Sequence, residues 1–250
     1  MKSKKQPKKP LGERYAQVAS DANAAHLARG DAFASAQALG YSQQELASVP
    51  HEAVEMGLGC GNPTALADLR EGDVVLDLGS GGGLDVFLAA RRVGARGRVI
   101  GIDATPEMVE KARAFAAKGG YKNVEFRVGR MEQLPIADAA VDVIISNCVI
   151  NHARDKAAVF KEAFRVLRAG GRMFISDLTL EGPPPQADSP GLEIWSDWLA
   201  AASGKQEYLR AMRAAGFQNI SILAESPYSG PAVCKTLDGK IVSLHLKACK

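Results

Sequence analysis

The sequence predicts an α/β protein built on a mostly parallel sheet, from three observations. Short apolar runs recur at residues 74–78, 98–102, 123–128, 141–146 and 173–176, with helix-compatible stretches between them. The first run is β-branched or aliphatic at nearly every step, as a strand covered on both faces requires, and only Asp77 interrupts it. It passes straight into Gly79, Ser80, Gly81, Gly82 and Gly83, where missing side chains let main-chain N–H groups approach a ligand, and then into helix-forming sequence.

The whole chain sets wider bounds. Its 250 residues suffice for one α/β domain with small additions, and 46% hydrophobic with 24% charged residues is ordinary for a globular protein. The formal net charge is +3, with Lys2, Lys4, Lys5, Lys8 and Lys9 crowded beside Pro7 and Pro10. Residues 1–10 are therefore expected to form a basic, disordered tail. No aromatic platform or amphipathic helix accompanies it, so neither a nucleic-acid nor a membrane partner is expected. No apolar run approaches the roughly 20 residues that span a bilayer, and the tail lacks a signal peptide's apolar core, so a cytoplasmic location is expected. Cys60, Cys148, Cys234 and Cys249 are too scattered for a disulfide framework and form no C-x-x-C pair.

Taken in order, residues 11–69 read as a helical N-terminal extension able to cover a ligand. Gly40-Tyr41-Ser42 breaks it, Ser42 and Glu45 form a capping box, and Pro50 ends that helical stretch. Asn62 and Pro63 suit the start of a short helix over 64–69. Cys60 lies just before it between two glycines: either a small apolar residue in a turn, or a thiol whose thiolate is favoured by helix-end N–H groups. Residues 70–180 form the expected core. A helix starts at Pro106 and closes at Gly119-Gly120, and another spans 155–167 and ends at Gly170-Gly171. Residues 181–250 are expected to form a substrate-side segment. It has a proline-rich loop over 181–190, a helix over 192–202 with Trp195 and Trp198, a helix over 205–215, and strands over 218–224 and 240–246.

The glycine spacing narrows the ligand. G-x-G-x-x-G fails at Leu84, whereas acid-x-G-x-G-x-G is met by Asp77, Gly79, Gly81 and Gly83. A carboxylate in a buried strand is costly without a partner, so Asp77 is expected at the strand's end, facing a ligand or loop amides. A tight strand-to-helix turn also uses glycines. The second strand decides between the two readings, because it ends on Asp103, where a carboxylate can accept from both hydroxyls of a ribose. Ligands bind beyond the carboxyl ends of such strands, so Met131 and Glu132 after the third strand are candidates for an adenine edge. Asn147 to Asn151, after the fourth, should face the same crevice.

This pattern over residues 70–180 resembles the class I S-adenosylmethionine (SAM) methyltransferases. The resemblance implies a Rossmann-like, seven-stranded, mostly parallel sheet, with the last two strands as an antiparallel hairpin. SAM would be bound by Asp77, Gly79, Ser80, Gly81, Gly83, Asp103, Ala104, Met131, Glu132, Asn147 and Val149. Three segments, GLGCGNP at 57–63, VVLDLGSGGGLD at 74–85, and SNCVIN with DKAAVFKEAFRVLRAGG over 146–171, resemble more narrowly the arsenite SAM methyltransferases. That resemblance implies that Cys60 and Cys148 hold trivalent arsenic, a soft centre matched to thiolates. It also implies an arsenical as the small-molecule substrate and a small-thiol reductant, glutathione or thioredoxin.

The chain departs from the family's pattern in places. Where a third substrate cysteine is usual, three positions beyond a tryptophan, stands Trp198, a candidate substrate contact. No cysteine precedes Cys60, Ala104 replaces a common methionine, and His152 is read as a surface residue. Either two protein thiols suffice, or a small thiol, Cys234 or Cys249 completes the set. Rival readings are a methyltransferase acting on carbon, oxygen or nitrogen of a metabolite, and a non-catalytic SAM- or arsenic-binding protein.

Overall fold

Alternate residues of the apolar runs point to opposite sides of one sheet, and helices cover both sides. The computed structural model describes residues 13, 16, 31–57, 59–183, 185, 199, 201–228 and 235–250. The strands are β1 (Val74–Leu78), β2 (Arg98–Asp103), β3 (Val124–Val128), β4 (Val141–Asn147), β5 (Leu167–Leu180), β6 (Gln218–Pro227) and β7 (Ile241–Cys249). Their order is β3-β2-β1-β4-β5-β7-β6, parallel from β3 to β5, with β7 antiparallel to β5 and β6 antiparallel to β7. This is the expected Rossmann-like, seven-stranded, mostly parallel sheet closed by an antiparallel hairpin.

The helices are α1 (Ala32–Ala38), α2 (Gln43–Ala47), α3 (His51–Glu55), α4 (Pro63–Leu66), α5 (Leu84–Val93), α6 (Pro106–Lys118), α7 (Lys156–Val166) and α8 (Lys205–Ala214). On one side of the sheet Leu76, Leu78, Ile100, Ile144 and Ile175 pack with Phe160 of α7 and Tyr208 of α8. On the other, Val75, Val99, Val143, Ile145 and Phe174 pack with α5, α6 and the helices before β1. The N-terminal extension is thus part of the second core layer, with Leu46, Ala53 and Val54 all buried.

Several boundaries differ from those expected. The capping box forms, with Glu45 N–H donating to Ser42 Oγ and Ser42 N–H to Glu45. That helix, α2, stops at Ala47, ahead of Pro50 as expected, but Pro50 then stands as the N-cap of α3, where its missing N–H costs no helical hydrogen bond. Asn62 caps α4 as expected, but the helix stops at Leu66 because Ala67 is extended. α7 ends at Val166, not at Gly170-Gly171: Leu167 is already extended and opens β5. β5 itself is far longer than residues 173–176, because pairing with β7 runs from Arg172 opposite Cys249 to Leu180 opposite Ile241. The basic tail, Trp195, Trp198 and Cys234 lie outside the described residues. Among the described residues no helix is long and apolar enough to cross a membrane.

Candidate active site

The strand order reverses between β1 and β4, and outside their carboxyl ends opens a cleft of about 290 Å³. Asp77, Gly79, Ser80 and Gly81 line it from β1 and its loop, and Asp103 and Ala104 from the end of β2. Met131 and Glu132 come from beyond β3, and Asn147, Cys148 and Val149 from beyond β4. Gly83 does not line the cleft. It sits at the start of α5, where a side chain would run into Phe87 and Phe126. Gly79, Gly81 and Gly83 have φ of +71°, +50° and +92°, so the every-second-glycine spacing follows from alternate left-handed residues.

The loop amides tie the loop to the end of β2 rather than to Asp77. Gly79 and Ser80 donate to the Ile102 carbonyl at 2.8 and 3.0 Å, and Gly81 donates to Asp103 at 3.0 Å. Thr105 N–H holds the other Asp103 oxygen at 2.8 Å. The Asp77 carboxyl group makes no hydrogen bond among the described residues, and burial, with the charges of Asp85 and Asp103, holds it well above the usual range. Ser80 Oγ is buried without a partner among the described residues. An acceptor-rich rim with an orphaned hydroxyl fits a ligand bearing hydroxyl and ammonium donors, as SAM does.

The roof of the cleft comes from residues the sequence did not single out. Tyr41, Met56 and Asp85 line it together with residues of α1. Tyr41 OH donates to Asp85 Oδ1 at 2.9 Å, and Asn147 Nδ2 reaches Asp85 Oδ2 (3.0 Å), Tyr41 OH (3.0 Å) and the Gly61 carbonyl (2.8 Å). Asn147 Oδ1 accepts from Cys60 N–H at 2.9 Å. Asn147 therefore ties the loop carrying Cys60 to the β4 end. The signal for Tyr41 was its place in the break between two N-terminal helices, and that for Asp85 its position at the glycine loop's exit. His152 also lines the cleft and is half-buried, so it is not a surface residue.

The two thiols converge behind this rim. Cys148 follows β4 with φ +58°, a left-handed conformation unusual for a side chain with Cβ, fixed by its N–H bond to the Ser176 carbonyl at 2.8 Å. Cys60 is 3% exposed and does not line the cleft; its Sγ lies 3.5 Å from the same Ser176 carbonyl, and its own carbonyl accepts from Ser243 Oγ at 3.1 Å. Gly59 and Gly61 permit this docking, since a side chain on either would overlap Asn147 or His245. With only four residues, α4 leaves docking rather than a helix end as what positions Cys60.

The Sγ atoms of Cys60 and Cys148 and a carboxylate oxygen of Asp177 all lie within 4.8 Å of one another. Cys249 is remote. It pairs with Arg172 and Gln218 at the other end of the sheet, more than about 10 Å along β7 from His245 at roughly 3.3 Å per residue.

The fold is shared with known proteins. Residues 69–216 match the methyltransferase domain family. An arsenite methyltransferase from Halobacterium salinarum is 47% identical over 184 residues, 74% of this chain and 47% of that protein. One from Aquipseudomonas alcaligenes is 35% identical, over 74% of this chain and 55% of that protein. The crystal structure of an arsenic(III) S-adenosylmethionine methyltransferase from Chlamydomonas reinhardtii matches with a TM-score of 0.70 at 35% identity, covering 83% of this chain and 72% of that one. The chain belongs to the arsenic(III) S-adenosylmethionine methyltransferase family. It spans about half the length of the curated relatives it matches.

In this family member the buried Asp85 carries a pH dependence. Burial pushes its carboxyl up to about 6, although the Asn147 and Tyr41 hydrogen bonds favour the charged form. The unfolded chain releases this proton near about pH 4. Between about pH 4 and about pH 6 the native state holds more protons, so the stability contributed here is full below about pH 4 and lost as the pH rises through about 6. Asp85→Asn removes that loss. Urea unfolding across this range is expected to show the variant's midpoint rising relative to the wild type's.

Proposed function

We propose that the protein transfers a methyl group from SAM to trivalent arsenic held by Cys60 and Cys148. The single observation that carries this reading is the meeting of two thiols, remote in sequence, at the edge of a cleft lined by the glycine loop and Asp103. Soft thiolates are the natural ligands of a soft trivalent centre, and a carbon, oxygen or nitrogen substrate has no use for a converging thiol pair. SAM when bound supplies an electrophilic methyl group on a sulfonium sulfur.

The chain's own residues do the positioning. Asp103, pinned by Gly81 and Thr105, presents its carboxylate where a ribose is read, and Met131 and Glu132 flank the adenine side. Asp77 and Ser80 face the amino-acid part. Cys60 and Cys148 fix the arsenic, whose lone pair is then directed at the methyl group. No proton moves in that step, so alignment is the main contribution, a term that reaches about 7–11 kcal/mol for well-oriented reactants. Arsenic formally loses two electrons on gaining the methyl group, so a small thiol such as glutathione, or thioredoxin, is needed to return it to the trivalent state. Arsenite, methylarsenite and other trivalent organoarsenicals are the substrate class.

The test is product analysis by mass spectrometry, with purified protein, SAM, glutathione and either arsenite or methylarsenite. One S-adenosylhomocysteine is expected for each methyl group transferred to arsenic. S-adenosylhomocysteine without methylated arsenic, or neither product, would overturn the reading.

A further inference from the structure

Asp177 has no part in the scheme above, yet it is 1% exposed, carries a carboxylate, and is the third member of the cluster with the two thiols. Its oxygens are held from the side of the fold. Leu178 N–H donates to Oδ1 at 2.8 Å, and Asn151 N–H (3.0 Å) and Tyr208 OH (3.1 Å) donate to Oδ2. A carboxylate has about four acceptor positions. Among the described residues three are taken by groups that fix its orientation and one is left, on a carboxyl group with an oxygen within 4.8 Å of both sulfurs.

We propose that Asp177 is a specificity-determining residue of the thiol site, accepting a hydrogen bond from the hydroxyl that arsenite retains once Cys60 and Cys148 have bound it. The proposal rests on the arsenic reading above and deepens it. Loading is balanced without a redox step: As(OH)3 and two Cys–SH give (Cys–S)2As–OH and two waters. Two As–O and two S–H bonds break, and two As–S and two O–H bonds form. One hydroxyl therefore remains on arsenic, as a donor. Methylarsenite, CH3As(OH)2, spends both hydroxyls on the two thiols and would set a methyl group against the buried carboxylate. A site built to pair with a hydroxyl discriminates strongly against an analogue lacking it, because the buried polar group is then left unpaired. The third ligand of the site is thus a substrate hydroxyl read by Asp177 in place of a third cysteine, and arsenite is the favoured substrate.

Asp177→Asn is the test, since it keeps the volume and an acceptor oxygen while removing the charge. The ratio of kcat/KM for arsenite to that for methylarsenite is expected to fall about tenfold, the scale of a hydrogen bond to a charged group. If Asp177 only anchors Asn151 and Tyr208, both substrates lose activity together, and an unchanged ratio overturns the proposal. Should the variant fail to fold, the wild-type protein's affinity ratio for the two arsenicals is compared with that of a free 1,2-dithiol. A ratio about tenfold more in favour of arsenite than the dithiol's is expected, and an equal ratio overturns the proposal. Wild-type protein that methylates neither arsenical would instead mark the failure of the underlying reading.

Discussion

Replacing Cys148 with serine is expected to lower kcat/KM for arsenite by about a hundredfold or more while leaving SAM affinity nearly unchanged. The reasoning is geometric. Misplacing a reactant by about 1 Å costs on that order, and a single As–S bond tethers arsenic without fixing the direction of its lone pair. Serine is close in size to cysteine, so the left-handed backbone at φ +58° and the N–H bond to Ser176 survive, and the variant should fold. SAM binding by calorimetry and methylation by mass spectrometry separate the two effects. A variant that methylates arsenite at the wild-type rate would remove the two-thiol scheme.

Asn147→Ala is expected to cost about 3 kcal/mol of stability and to abolish arsenite binding. Its amide holds four groups at once: Cys60 N–H, the Gly61 carbonyl, Tyr41 OH and Asp85. Tyr41 and Asp85 still have each other after the truncation, at 2.9 Å. Cys60 N–H and the Gly61 carbonyl lose this partner, and an unsatisfied buried group costs about 1–3 kcal/mol. The Cys60 loop is then free to leave its position beside Cys148. Urea unfolding measures the first effect and thiol-protection assays with arsenite the second. A residue that only positioned SAM would lower SAM affinity with stability and arsenite binding intact.

The sheet was readable because burial on both faces writes itself as unbroken aliphatic runs, as in residues 75–76 and 143–145. β5 was read as four residues because Gly170, Gly171, Asp177 and Thr179 look like loop composition. Pairing with β7 overrides that local preference. Asp177 was missed although the argument applied to Asp77, a carboxylate at the end of a buried run, applies to it equally. It was placed beyond the strand, where a carboxylate needs no explanation. Asn147 was assigned to SAM from its position after β4. Sequence carries no signal that its amide would reach back to residues 41, 60, 61 and 85, since these converge only in the fold. Cys60 and Cys148 likewise have no spacing that marks them as a pair, and only the likeness of their surrounding segments to a known family joined them.

Arsenic-edge X-ray absorption on protein loaded with arsenite, with no added thiol, tests the two-thiol site most directly. Two sulfur neighbours and one oxygen around arsenic are expected in the wild type, and one sulfur in Cys148→Ser. An arsenic shell of oxygen alone in the wild-type protein, or an unchanged shell in the variant, would contradict it.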